Sequence, residues 1–352
     1  NGTNFYRMFR QAASFSGDLS AWNTISATNF SELFLGAASF NSDISSWNTS
    51  NVTTLYLLFW QASAYNQPLN GWDVSNVQSF RGTFGQAVAF NQPLNNWNVS
   101  AGTTFNSCFV NAQAFNQPLD QWNVGSGTDF AGMFYAAVSF NQPLDAWDMS
   151  SAVSLNEMFR GADAFDQPLN NWDVSQVTNA ASMFRQNDAF NQDLNNWNFQ
   201  SLNYMNYMFS EATAFNGDIS NWNVSNVTRM INMFKNSVFN GDISNWNVSK
   251  VNSMYGMFWD SIFNNPIGDW DVSSVTNIEY MFYNSEFNQP LNNWVLNDQV
   301  DNLSFMFAGS KFNHPLDNWD VSKVRRMSHM FYNSVFNQDI SGWDVSNVYD
   351  MY

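Results

Sequence analysis

One cysteine, two histidines and twelve lysines plus arginines are all that this 352-residue chain holds of the residues behind most disulfides, metal sites and nucleic-acid surfaces. Cys108 alone permits no internal disulfide and no zinc site built on cysteines. His314 and His329 fall at different positions of the repeat described below, which argues against a shared metal and against any Ser-His-Asp arrangement. No glycine-rich phosphate loop is present; Gly125 and Gly127 stand without the lysine or the spacing that cradling a phosphate needs. Charged residues are only 12% of the chain, and 29 Asp plus Glu leave a net charge of -17. Such a surface repels a phosphate backbone, so nucleic acid is excluded as a partner. No uninterrupted apolar run approaches the roughly 18 residues of a membrane-spanning helix. These absences predict a chain that is not an enzyme and that holds no cofactor and no metal.

What the chain has instead is aromatic residues, 18% of the total, and they are periodic. Tryptophan recurs at 22, 47, 72, 97, 122, 147, 172, 197, 222, 246, 270, 294, 319 and 343, at intervals of 25 or 24 residues. Only Trp60 and Trp259 lie outside that register. A fixed period over the whole length predicts one repeat array, 1–352, of about fourteen turns rather than separate globular domains.

Residues 65–84 illustrate one turn. Trp72 and Val74 share a face of an extended segment and Asp73 points away from it. Ser75 suits a helix N-cap, and Val77, Phe80 and Phe84 follow at the spacing of an amphipathic helix stripe. The expected fold is therefore α/β: a right-handed, leucine-rich-repeat-like solenoid with one parallel strand and one short helix per turn of 24–25 residues.

Other columns refine this pattern. All eight prolines share one position with Asp18, Asp43, Asp193, Asp218, Asp242 and Asp339, an exchange suited to a tight turn. Asparagine holds the position after the loop aromatic, from Asn41 to Asn337, and predicts a ladder of amides bonding loop backbone. Five residues separate the two loop aromatics up to Phe215 and four from Phe234 onward, dividing the array into 1–233 and 234–352. The longer loops carry alanine at their third position, as Ala62 and Ala137, and the shorter ones serine, as Ser237 and Ser261. At Gly102, Gly127 and Ala152 the first apolar residue of the expected helix is missing, which predicts loose packing there.

The string FNGDISNWNVSNVTRMINMF at 215–234, and FNQDISGWDVSNVYDM at 336–351, resemble the short tandem repeat of bacterial surface proteins and mycoplasma lipoproteins grouped with BspA-like leucine-rich repeats. The resemblance extends over essentially the whole chain. It implies a leucine-rich-repeat-like solenoid, an extracellular or cell-surface location and a role in adhesion or display, and it brings no catalytic residues.

Two surfaces are candidates for contact. Tryptophan and tyrosine at Trp60, Tyr135, Trp259, Tyr283 and Tyr332 follow the helix phenylalanine at a position that the repeat leaves variable. The outward polar row contains Asp73, Asp148, Asp173, Asp271, Asp320 and Asp344 and suits sugar hydroxyls or simple solvation. The expected function is a non-enzymatic extracellular structural or adhesive protein, such as a fibre or surface-array subunit, with a carbohydrate-binding module as the alternative. The expected partners are accordingly a cell-surface glycan or further copies of the chain. The start within a helix motif at Phe5–Phe9 and the stop within another at Val348–Tyr352 predict self-association end to end.

Overall fold

The computed structural model describes residues 3–352. The chain divides into two compact units, Asn1–Gln176 with Asn187–Phe190, and Val177–Gln186 with Asn191–Tyr352. Each unit is a stack of turns, and the expected α/β build of those turns is overturned. No helix occurs among the described residues, and strand pairing shrinks to isolated parallel bridges of one residue per turn.

The parallel ladder lies where the helix was expected. In the first unit Asn4, Asn29, Thr54, Ser79, Thr104, Asp129 and Ser154 bridge in succession, seven residues beyond each tryptophan rather than beside it. The segment from Phe80 shows why. Alternate N–H groups point to the next turn: Phe80 to Thr104 O (3.0 Å), Gly82 to Asn106 O (2.9 Å), Phe84 to Cys108 O (2.8 Å) and Gln86 to Val110 O (2.7 Å). The intervening N–H groups bond three residues back, Thr83 to Phe80 O, Gly85 to Gly82 O and Ala87 to Phe84 O. Local and turn-to-turn bonds together satisfy a buried backbone that an α-helix would have satisfied internally.

That alternation requires left-handed residues. Gly82 has φ of 62° and Gln86 of 57°, and the same two positions recur in turn after turn. Across the described residues, 22 non-glycine residues and six glycines have positive φ, and all of them belong to these two columns. An α-helix cannot contain such residues, because the left-handed conformation breaks its ladder and sets Cβ against the backbone. The helix stripe in the sequence is real, but it is the spacing of inward side chains on a segment bent every fourth residue.

The Trp72-Asp73-Val74 segment, expected as the strand, carries no bridge. Ser75 does not cap a helix: its N–H and its hydroxyl both donate to Asp73 Oδ1, at 3.0 and 2.6 Å, closing a local turn.

The core is aromatic and columnar. In the first unit Trp22, Trp47 and Trp72 stack with ring centres 6.1 and 6.4 Å apart. Phe34 lies 5.7 Å above Phe59, and within its own turn it packs on Phe40 at 3.9 Å. Beyond the first turn, indoles of this column donate to a carbonyl of the turn before, as Trp72 Nε1 to Ile44 O (3.1 Å) and Trp122 Nε1 to Leu94 O (3.0 Å). The second unit does the same with Trp222 to Leu194 O and Trp246 to Ile219 O. Tryptophan therefore suits this column better than phenylalanine, since it supplies both ring area and the donor that a buried carbonyl needs.

Gly102 and Gly127 do not loosen the core. A Cβ at Gly102 would come within 2.7 Å of the Phe105 ring, and one at Gly127 within 2.5 Å of Phe130. The phenylalanine three residues later fills the space that valine leaves.

The asparagine ladder forms as expected. Asn66 N–H donates to Asn41 Oδ1 (2.9 Å), Asn91 to Asn66 (2.9 Å) and Asn116 to Asn91 (3.0 Å). The second unit continues the device with Asn240 to Asn216 and Asn264 to Asn240, both at 2.8 Å. Near Val295, where the turn carries an extra residue, the side chain is 72% exposed and no bridge joins Asn277 to Asn302.

Candidate functional surface

The tryptophan and phenylalanine columns are invariant, and much of the chemistry that differs from turn to turn lies on the ladder segment, in the two left-handed columns and their neighbours. In the first unit Trp60 lies flat on glycines of the following turn. A Cβ built on Gly82 would stand 2.9 Å from its ring and one on Gly85 only 2.2 Å. Any larger residue at Gly85 displaces the indole. Tyr135 is half-buried beneath Arg160, whose guanidinium sits 5.0 Å from the ring centre and pairs with Glu157 at 2.7 Å.

The second unit gathers aromatics into a continuous stack. Lys235 Nζ sits 3.9 Å over the Trp259 ring. Trp259 stacks on Tyr280 of the next turn at 5.0 Å, Tyr280 on Phe305 at 4.8 Å and Phe305 on His329 at 4.9 Å, with interplanar angles of 11°, 8° and 2°. Tyr283 and Tyr255 flank it, 5.1 Å from Trp259 and 5.4 Å from Tyr280 respectively, and Tyr332 meets His329 edge to face at 5.3 Å. Of the five aromatics singled out in the sequence, Trp259, Tyr283 and Tyr332 are thus brought together. Trp60 and Tyr135 occupy separate settings in the first unit. Phe305 and His329 were missed, because both sit in a column read as helix interior. The available signal was that this column takes glycine in some turns, as at Gly82, Gly132 and Gly256.

The acidic row is built differently. Asp73, Asp148, Asp173, Asp271, Asp320 and Asp344 are exposed, and each accepts the N–H of the serine two residues later at 2.9 to 3.1 Å. In Asp73 and Asp271 the serine hydroxyl adds a second bond at 2.6 Å. Hydrogen bonds from the serine hydroxyl, and next from its N–H, hold the carboxyls of Asp73, Asp148 and Asp271 below the usual range. One oxygen of each is committed to its own turn, so the row is first a turn-closing device.

The remaining candidates each have a local role. Cys108 is fully buried, and desolvation pushes its thiol far up. His314 contacts Asn288 O at 3.0 Å through Nε2, while His329 contacts Ser328 Oγ through Nδ1. No described helix is long and apolar enough to cross a membrane.

Comparison with solved structures gives distant likenesses. A leucine-rich-repeat protein of Leptospira interrogans aligns over 92% of this chain and 83% of its own, at 9% identity and a TM-score of 0.27. An internalin of Listeria monocytogenes aligns over 78% and 77%, at 11% identity and 0.26. A plant peptide hormone receptor, RGFR1 in complex with RGF2, aligns over 92% and 65%, at 11% and 0.21. TM-scores of this size fall below those of a shared fold. A comparison with curated proteins gives no match. The family of tandem repeats described as "Mycoplasma protein of unknown function, DUF285" matches in five overlapping stretches, 1–92, 69–168, 142–238, 218–310 and 262–352, and the chain belongs to that family.

Proposed function

We propose that the chain is a non-enzymatic repeat protein of the cell exterior that acts in adhesion or surface structure, in the manner implied by its resemblance to BspA-like surface repeats. The observation that carries this is the contrast between columns. The tryptophan column and the phenylalanine column of Phe84 and Phe109 repeat one residue in every turn, whereas exposed and half-exposed ladder positions vary in charge and size and collect aromatics and cations, as at Lys235, Trp259, Tyr280, Phe305 and His329. Aromatic and arginine side chains that packing does not demand are the stuff of contact surfaces.

The alternative of a carbohydrate module on the acidic row has less support, because each of those carboxylates already serves a turn. The ring stack offers sugars little either, since its faces are covered by Lys235 and by neighbouring rings.

Beads coated with the chain test this proposal against cells and against immobilised surface proteins and glycans. Adhesion that is lost in Trp259→Ala/Tyr280→Ala supports it. Adhesion that survives those changes but is lost in Asp271→Asn/Asp320→Asn favours the glycan alternative. Light scattering on the same preparations reads self-association directly.

A further inference from the structure

Four consecutive turns place an aromatic ring in line: Trp259, Tyr280, Phe305 and His329. The last three sit in a left-handed column, with φ of 57°, 59° and 57°. The turn before Tyr280 fills that column with glycine, at Gly256, and other turns with residues as different as Gly82, Ser107, Glu157 and Asn232, so neither the fold nor its core requires a ring there. Tyrosine and phenylalanine are poor residues for a left-handed backbone, and the side chains of Tyr280, Phe305 and His329 are only half-buried. Left-handed bends occur in every turn, but a freely variable column that holds a ring in three successive turns points to contact with something else.

The stack also limits what that something is. Parallel rings cover one another's faces, so a ligand meets ring edges, the positive end of the aromatic quadrupole. Cations stand in the turns at both ends of the stack: Arg229, in the turn of Lys235, and Arg325, in the turn of His329, are exposed and have no carboxylate ion pair among the described residues, and Lys235 rests on Trp259. Three carboxylates of these ladder segments are engaged or sheltered. Asp301 pairs with Arg326 at 3.2 Å and Asp260 accepts from Asn284 at 2.6 Å. Glu279 is half-buried, and desolvation raises its carboxyl, against the pull of Arg326. On a chain of net charge -17 this strip presents positive edges and open cations.

We propose that the Trp259–Tyr280–Phe305–His329 stack is a docking surface for an acidic polypeptide segment laid along successive turns, with Arg229, Lys235 and Arg325 supplying its counter-charges. This rests on the surface-interaction proposal above and names its partner class.

The test is fluorescence anisotropy of a labelled peptide alternating Glu and Leu, with a Lys-Leu peptide of equal length and dextran sulfate as competitors. The expected result is salt-sensitive binding of the acidic peptide alone. Affinity should fall about tenfold or more in Tyr280→Gly/Phe305→Gly, the loss typical of central contact residues, while the melting temperature holds or rises. Tyr280→Asn/Phe305→Asn gives the same readout should the glycine variant fold poorly. Lys235→Glu/Arg325→Glu should also lose the peptide. Equal binding of the basic peptide, displacement by dextran sulfate at matched charge, or full affinity in the glycine and asparagine variants overturns the proposal. Bead adhesion that persists while the acidic peptide fails to bind also overturns it and leaves the adhesive function standing.

Discussion

Turns before and after residue 234 close the same loop with different atoms. In the longer loops the N–H of the second aromatic bonds the carbonyl three residues back, as Phe40 to Ala37 O and Tyr65 to Ala62 O, both at 3.0 Å. Removing one residue removes that acceptor. In the shorter loops a serine hydroxyl two residues back takes its place: Phe263 N–H to Ser261 Oγ (3.2 Å), Phe287 to Ser285 (3.4 Å) and Phe312 to Ser310 (3.3 Å). The exchange of alanine for serine is therefore a substitution of a side-chain acceptor for a main-chain one, forced by the need to satisfy a buried donor. Asn187 is the long-loop exception, and it follows the same rule. Its Oδ1 accepts Ala189 and Phe190 N–H, and its Nδ2 donates to Ala162 O.

The largest expected effect tests what the two kinds of turn share. Trp122→Ala in a long-loop turn and Trp246→Ala in a short-loop turn should each cost about 3–5 kcal/mol, as for other buried aromatics. Both indoles are 3% exposed and bond a carbonyl of the preceding turn. Chemical denaturation together with hydrogen exchange in the flanking turns measures the cost. A clear inequality would show that the turns differ in more than their loops.

The next effect separates them. Ser261→Ala strands the Phe263 N–H and should cost about 1–3 kcal/mol, the usual penalty for a buried unsatisfied donor. Ala62→Ser leaves Tyr65 its carbonyl, so it should gain nothing at that donor and cost only what burying a hydroxyl at this fully buried position costs, about 1–3 kcal/mol if unpaired. Inserting one residue between Ser261 and Phe263 should rescue Ser261→Ala by restoring the longer loop. Failure of that rescue would sink the acceptor-replacement account.

A smaller effect concerns the ladder strain. Tyr280→Gly should be neutral or stabilising by up to about 1 kcal/mol, whereas Gly82→Tyr should destabilise, since a Cβ at Gly82 would stand 2.4 Å from the Leu57 side chain. Thermal melts of the two variants side by side read the contrast directly.

The smallest effect is pH dependence, and it should be alike in both kinds of turn. Asp73, Asp148 and Asp271 have folded carboxyls lowered from the ordinary 3.8 by the serine hydroxyl and N–H. A lowered folded value adds stability that is complete above 3.8 and is lost as pH falls through the folded value. Exposure keeps each contribution small. Asp73→Asn/Asp148→Asn should therefore flatten the acid limb of the melting-temperature profile a little, without altering it near neutral pH. An unchanged acid limb would show that these bonds do not stabilise the fold.

Much of this was written in the chain. The 24–25-residue period, the Trp, Phe and Asn columns, the amide ladder and the loop-length change are all visible in the residues, because each depends on a position repeating its own neighbour one turn away. The left-handed columns were half visible: glycine and asparagine recur there, as Gly82, Asn111, Asn236 and Gly309, but leucine, tyrosine and glutamate dilute the signal. Inward residues three, four and seven apart are equally the stripe of a helix and the stripe of a segment bent at every fourth residue. Local spacing cannot separate the two. Only stacking does so, because the N–H groups of Phe80, Gly82, Phe84 and Gln86 find their acceptors in another turn, and reaching them requires the left-handed bends. The same stacking brings Trp259, Tyr280, Phe305 and His329 together across 70 residues of chain, a proximity that depends on register between turns and on no local pattern.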